Sequence, residues 1–316
     1  MLISVLMSTY KEPVEFINAA VRSILDQTYH DIEYVIMVDD PDNMVVIDYL
    51  LSIEDPRIQV HINEKNLGLV GSLNNGLRYC RGEYVARMDA DDISYPMRLE
   101  KQLAYAIEND YDLVGGSFEL FKDLHGEITE VYRFPQHTEE CKKYLCQNSC
   151  VPHPTWLVRK EVYEICSGYR EIITCEDYDF IIRAVMHGFK IGNVEDVILK
   201  YRYNLNSISR INQAKQILTA KKLANAYKHG RILTMEEYQR FVSSNEYKKK
   251  TSSITVYFET LKLLKTKKIS LGIMRKVLCL FLNPYFYTDL KERALTRYMT
   301  TKKVFKDSDN EGGNEL

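Results

Sequence analysis

The sequence predicts an α/β fold, with a mostly parallel central sheet flanked by helices and a helical C-terminal region behind it. Three observations predict it. Short β-favouring runs alternate with helically spaced apolar residues from the N-terminus to about residue 110. Several of those strands end in polar or acidic residues, as Ser8-Thr9-Tyr10, Asp39-Asp40 and Asp89-Ala90-Asp91-Asp92 do. From about residue 212 the strand-like runs stop and lysine- and arginine-rich helical patterns take over.

Residues 2–8 read as a buried strand, and Lys11-Glu12-Pro13 breaks it. Phe16, Ala19, Ala20 and Ile24 give helical spacing over 14–25. Residues 32–38 form a second strand, 45–53 a helix and 58–62 a third strand. Asn66-Leu67-Gly68 is a turn, and 70–80 a helix. Gly82 opens the next strand, which runs through Tyr84, Val85 and Met88 into the acids. Pro96 then stands where a helix begins, with Arg98, Leu99, Gln102, Leu103 and Ile107 at helical spacing behind it. Residues 112–118 are a strand with a hairpin partner near 128–134, and 141–145 a short helix. Val151-Pro152-His153-Pro154-Thr155 is a rigid turn before a strand at 156–159. A helix at 161–166 stops at Gly168. The acids Glu176-Asp177-Tyr178-Asp179 precede a helix at 180–187 that Gly188 closes. Residues 191–194 and 197–203 read as two more strands, and 213–228, 235–244, 253–265 and 272–282 as helices. The domains expected are 1–211 for the sheet, 212–306 for the basic helices and 307–316 for a polar, disordered tail.

With 316 residues and 45% hydrophobic content the chain can bury a substantial core. A net charge of −2 argues against general nucleic-acid binding. Seven scattered cysteines without a CxxC pair read as reduced thiols. Cys141, Cys146 and Cys150 near His153 do not have the spacing of a common zinc site. The first residues lack a basic leader and no apolar run reaches ~20 residues, so the expected location is cytoplasmic. The apolar, aromatic stretch 277–287 beside basic helices fits either peripheral contact with an anionic membrane face or packing on the core or on a second subunit.

Asp89, Asp91 and Asp92 put three carboxylates within four residues. They repel one another unless a cation joins them. Their oxygens are hard donors suited to Mg²⁺ or Mn²⁺, ions that bridge to substrate phosphates. The alternative is a solvated turn that caps the next helix. A second acidic strand end, Asp39-Asp40, falls on the same sheet edge if the strands are parallel, and that edge is where open α/β sheets bind ligands.

Taken in order, the motifs resemble those of the family-2 glycosyltransferases of the GT-A fold, a Rossmann-like architecture found in bacterial enzymes of surface-polysaccharide synthesis. They are Ser8-Thr9-Tyr10, Val38-Asp39-Asp40, Asn66-Leu67-Gly68 with Asn74 and Gly76, Gly82-Glu83-Tyr84, Met88 to Asp92, His153-Pro154-Thr155, Glu176 to Asp179 and Tyr201-Arg202. The resemblance implies inverting transfer of a hexosyl or N-acetylhexosaminyl group from a UDP-linked donor to a glycan hydroxyl. The acceptor would be lipid-linked, at the inner membrane face, in capsule or related synthesis. It implies that Thr9, Tyr10 and Glu12 border the nucleoside, and that Asp39 or Asp40 accepts from base or ribose. Asn66, Gly68 and Arg87 would lie near base and diphosphate, and Asp89 would contact ribose or sugar. Asp91 would ligate Mn²⁺ or Mg²⁺. Asp177 would be the general base, Glu176 and His153 would line the sugar or acceptor side, and Arg202 would meet the diphosphate. Two departures stand out. Asp39-Asp40-Pro41-Asp42 lacks the usual glycine, and Asn204 stands where many relatives have a metal- or phosphate-binding histidine. The alternatives are a non-catalytic nucleotide-sugar-binding module, which requires Asp177 to be poorly placed, and a nucleotidyltransferase, which would want a basic glycine-rich loop that residues 8–13 lack.

Overall fold

A computed structural model describes residues 1–122, 128–203 and 211–265. Asn204, the 272–282 helix, the 277–287 stretch and the 307–316 tail lie outside them.

In chain order the first half runs β1 Ile3–Thr9, α1 Val14–Leu25, β2 Ile32–Val38, α2 Met44–Leu51, β3 Ile58–Ile62, α3 Gly68–Gly76, β4 Tyr84–Asp89, β5 Ile93–Ser94 and α4 Arg98–Asn109. The second half continues with β6 Leu113–Phe121, β7 Ile128–Tyr132, α5 Thr138–Leu145, a 3-10 turn His153–Thr155, β8 Leu157–Arg159, α6 Lys160–Ile165, α7 Glu176–Met186, β9 Ile191–Arg202 and α8 Gln213–Lys228. Helices α9 Met235–Ser243 and α10 Asn245–Lys265 follow.

Among the described residues one nine-stranded sheet has the order β3-β2-β1-β4-β8-β6-β9-β5, with β7 beside β6. The pairs β3–β2, β2–β1, β1–β4 and β6–β9 are parallel, and short β8 runs antiparallel to both β4 and β6. Strand β2 is buried throughout and β1 nearly so, as strands covered on both faces must be. Ile17, Ala20, Val21 and Ile24 make the buried stripe of α1. Trp156 is fully buried and donates its indole N–H to the Val151 carbonyl at 3.1 Å, so it anchors the core.

Three elements differ from the sequence reading. The two strands expected after residue 190 are one: Gly116 pairs with Val194 and Ser117 with Val197, so exposed Glu195 and Asp196 bulge out of a continuous β9. Strand β5 is too short for any periodicity to reveal, and it exists because Ile93 and Ser94 pair with Lys200 and Leu199. Helix α7 starts at Glu176, four residues earlier than its apolar pattern suggests, which places Glu176 and Asp177 inside the first turn.

The chain divides into two compact units, the first covering Met1–Met235 and the second beginning at Glu236. Helix α8 belongs to the first and packs beside the segment leading into α7: Gln216 donates to the Thr174 carbonyl at 3.1 Å and the Cys175 thiol to the Gln216 carbonyl at 3.5 Å. In the second unit Tyr238, Tyr247, Ile254 and Tyr257 are buried, and the rings of Phe241 and Tyr247 meet edge to face at 4.9 Å. Among the described residues no helix is long and apolar enough to cross a membrane.

Candidate active site

The parallel register makes three strands end level. Ser8 pairs with both Met37 and Asp89, and Thr9 pairs with Val38. The C-terminal ends of β1, β2 and β4 therefore deliver Thr9, Asp39 and Asp89 to one edge. Glu12 shapes the first turn there, its Oε2 accepting from the Thr9 hydroxyl and the Tyr10 N–H, both at 2.7 Å. Tyr10 itself is exposed. Asp39 is 3% exposed, and its Oδ1 accepts from Asn63 Nδ2 at 2.7 Å and the Leu67 N–H at 2.9 Å. That carboxylate ties β2 to the loop ahead of α3, with Asp40 half-exposed beside it. Asn66 Oδ1 accepts the Gly68 N–H at 2.9 Å, and Gly68 has φ +72°, which a residue with a side chain would adopt only under strain.

At the end of β4 the carboxylates separate by role. Arg87 is 1% exposed and holds Asp89 through an Nη2–Oδ1 pair at 2.5 Å, so the arginine lies behind Asp89. Asp92 turns inward at 1% exposure and accepts the Arg202 N–H at 2.8 Å, with its other oxygen unpartnered. Arg202 Nε donates to the Asp91 carbonyl at 2.7 Å, and its guanidinium lies 3.9 Å and 4.4 Å from the Phe16 and Phe121 ring centres. Arg202 thus clamps the back of the acidic turn. Asp89 and Asp91 remain partly exposed. Burial, then the Asp89 and Glu12 charges, push Asp91 up to about 7. Burial and the Asp91 and Asp89 charges hold Asp92 well above the ordinary carboxylate range.

A metal was expected on this turn. Among the described residues no three His, Cys, Asp or Glu side chains stand together as a metal cage. What the turn offers fits an open site: one or two hard carboxylates, Asp91 with Asp89, suit an ion that completes its shell with water and phosphate. Crowding that raises Asp91's affinity for a proton is also what an added cation relieves.

The second acidic centre is the first turn of α7. Burial, then Asp177, push Glu176 up to about 8. Asp177 goes up to about 6, raised chiefly by burial and less by Asp179 and Asp89, against the N–H bonds that lower it. Tyr178 donates one of those N–H bonds to Asp177 Oδ1 at 2.7 Å. Asp89's charge acts on both Glu176 and Asp177 and on Asp91 as well, so the two acidic centres share one electrostatic environment. Asp179, in the same turn, is fully buried between Arg170 and Arg183. His153 Nε2 meets the Tyr169 hydroxyl at 2.9 Å, and Tyr169 meets the Tyr163 hydroxyl at 3.2 Å. Burial and the Arg87 charge hold His153 well below its usual pKa, so the imidazole is neutral.

The profile described as Glycosyl transferase family 2 matches residues 4–166. The chain belongs to that family. An uncharacterised glycosyltransferase of Methanocaldococcus jannaschii is 35% identical over 220 residues, covering 68% of this chain and 76% of its own. The O-antigen biosynthesis glycosyltransferase WbnJ of Escherichia coli is 30% identical over 212 residues, covering 66% and 82%. Among solved structures, Staphylococcus aureus TarS 1–349 in complex with UDP-GlcNAc superposes with TM-score 0.57 at 18% identity, over 87% of this chain and 78% of that one. The shared architecture is GT-A. In this family 2 glycosyltransferase the sheet edge and the acidic turn lie within the matched residues 4–166, and the α7 acids follow them.

Sequence reading passed over Tyr163 and Tyr169 and the two arginines on Asp179. Tyr169 follows Gly168, whose positive φ lies just beyond the end of α6. Arg170 and Arg183 are unremarkable in the sequence, and only their convergence on a buried carboxylate gives them a role.

Proposed function

We propose that the protein is an inverting, metal-dependent glycosyltransferase. It moves a sugar from a nucleotide sugar, UDP-linked in our reading, to a hydroxyl of a lipid-linked glycan acceptor in cell-surface polysaccharide synthesis. The observation that supports this most is the nearness of two acidic centres, Asp89–Asp91 at the end of β4 and Glu176–Asp177 in the first turn of α7, with the Asp89 charge acting on Asp91, Glu176 and Asp177 alike. Family membership supports group transfer, and the O-antigen role in WbnJ's name supports the acceptor class.

Thr9, Tyr10, Glu12, Asp39 and Asp40 would hold the nucleoside, with Asn66 and Gly68 beside the diphosphate. Asp91, with Asp89 near it, would hold Mn²⁺ or Mg²⁺, which would supply Lewis-acid stabilisation of the leaving diphosphate. Arg87 orients Asp89 from behind through their ion pair. Asp177 takes the acceptor hydroxyl proton as that oxygen bonds to the anomeric carbon and the bond to the diphosphate breaks. Its Oδ2 is the natural proton acceptor, because Oδ1 takes the Tyr178 N–H. Glu176, protonated at neutral pH, would leave the pair with a single negative charge and could donate to the acceptor or the sugar. Peripheral membrane attachment or a homodimer through the C-terminal helices completes the proposal.

A panel of nucleotide sugars with Mn²⁺ or Mg²⁺, read as release of the nucleoside diphosphate, tests the reaction class. Release from a UDP-sugar is expected. Exclusive turnover of a GDP- or dTDP-linked donor would overturn the donor assignment. Asp91→Asn should lower activity by about 10²-fold or more at saturating donor, with more metal needed for half-maximal rate. A variant with the parent's metal dependence would take Asp91 out of the metal site. The pH dependence has a worked sign. The base must be ionised, and Asp177 is pushed up to about 6. Activity should therefore fall with decreasing pH through about 6. A limb near the ordinary aspartate value of about 4 would mean that another group sets it.

A further inference from the structure

The helix behind the donor-side loop is bonded directly to the loop ahead of the α7 acids. Asn74, on α3, uses both ends of its amide on one backbone residue 95 positions away. Its Nδ2 donates to the Tyr169 carbonyl at 2.9 Å, and its Oδ1 accepts the Tyr169 N–H at 2.9 Å. The pairing is as close as the backbone allows. Gly168 has φ +68°, and a Cβ there would stand 2.5 Å from Asn74 Oδ1. Tyr169 is nearly fully buried, with its ring packed against Trp156, Tyr163 and Phe180. Its hydroxyl ends the chain of contacts to His153 and Tyr163. The Asp177 charge reaches that hydroxyl as well.

We propose that Asn74 is a positioning residue for transfer: by fixing the Tyr169 backbone it sets the place of the Tyr169 hydroxyl, and with it the orientation of His153 and the approach to the Glu176–Asp177 turn. It touches no reacting atom. Asn74 lies six residues, under two turns, into α3, the helix that starts at Gly68, so the donor-side loop is tied through α3 to the segment ahead of the α7 acids. Family resemblance drew attention to Asn74 as part of a motif, but only the fold gives it this partner. The inference rests on the reading of Asp177 as the base, because positioning matters only if the acids take part in transfer.

The test uses the full chain and the donor identified in the panel. Active sites are counted by titration with the matching nucleoside diphosphate. The variants are Asn74→Ala, Tyr169→Phe and the two combined, with Asp177→Asn alongside. In Asn74→Ala and in Tyr169→Phe, kcat per binding site should fall about tenfold or more, since small misplacements in an active site carry losses of up to about a hundredfold. Donor KM should stay within about twofold. The double variant should be no slower than the slower single one, the mark of two residues acting through one chain. A kcat per binding site equal to the parent's, with only a lowered Tm, would make Asn74 merely structural and overturn the inference. So would multiplied losses in the double variant. If Asn74→Ala does not fold, Gly168→Ala presses on the same contact and must show the same kcat-only loss. Parental turnover in Asp177→Asn would be a different failure, removing the base assignment whatever the Asn74 result.

Discussion

Asp177→Asn is expected to lower kcat by roughly 10²–10⁴-fold, the usual contribution of a positioned general base. Donor KM and the melting temperature should hardly move. The substitution is isosteric, and its amide oxygen can still accept the Tyr178 N–H that Asp177 Oδ1 takes at 2.7 Å, so the start of α7 keeps its bond. What it loses is a carboxylate able to take a proton from an alcohol. The acid limb set by a group pushed up to about 6 should disappear with it. Steady-state kinetics across pH 5–9 decide the matter. A rate within threefold of the parent would show that the first turn of α7 merely begins a helix.

Asp179→Ala, two residues away, should do the opposite: a large loss of stability and a catalytic loss only through the missing fold. Asp179 is fully buried. Its Oδ2 accepts from Arg170 Nε at 2.9 Å and from Arg183 Nε at 2.8 Å, while Arg170 Nη2 meets Oδ1. The same arginines hold backbone carbonyls: Arg183 those of Gly168, at 2.9 Å, and Cys166, and Arg170 that of Leu233, at 3.0 Å. Removing the carboxylate leaves two guanidinium groups without their counter-charge in a poorly solvated site, which costs about 3–5 kcal/mol. For a unit of this size that is a fall in Tm on the order of 10 °C. Thermal or urea unfolding measures it. A loss under about 1 kcal/mol would mean that water reaches the arginines and that the network is not what holds the 166–175 loop.

Much of this was legible in the chain because it is local. A strand buried on both faces needs apolar residues throughout, so β1 and β2 could be read closely. Helix α1 shows its inward stripe at 3.6-residue spacing, and its bounds fall where Pro13 and the apolar run put them. What failed to show was non-local. Strand β5 is two residues held only by β9, and the bulge at Glu195–Asp196 hides the continuity of β9 from any period count. Helix α7 starts early, with a first turn of acids that a periodicity argument discards as polar, one of which, Asp179, is held by Arg170 and Arg183.

The candidate site divides along the same line. Residue type and spacing were enough to make Asp89, Asp91 and Asp92 candidates, since clustered carboxylates are costly without a cation or proton to share, whereas Glu176 and Asp177 were candidates through the resemblance. Sequence could not say which acid faces outward. Asp92 and Asp179 look like their neighbours in the chain, yet the fold buries one against the Arg202 backbone and the other between two arginines. Nor could it show that Arg87 lies behind Asp89, or that Arg202 is stacked between two phenylalanines.

By itself, then, the sequence determined the strand and helix alternation and the acids that the sheet edge carries, because both follow from backbone periodicity and side-chain type. Only the tertiary structure decided which carboxylates are spent on the fold and which stay open, and that Asn74 holds Tyr169. Burial and pairing partners come from residues up to about a hundred positions apart, and no local pattern encodes them.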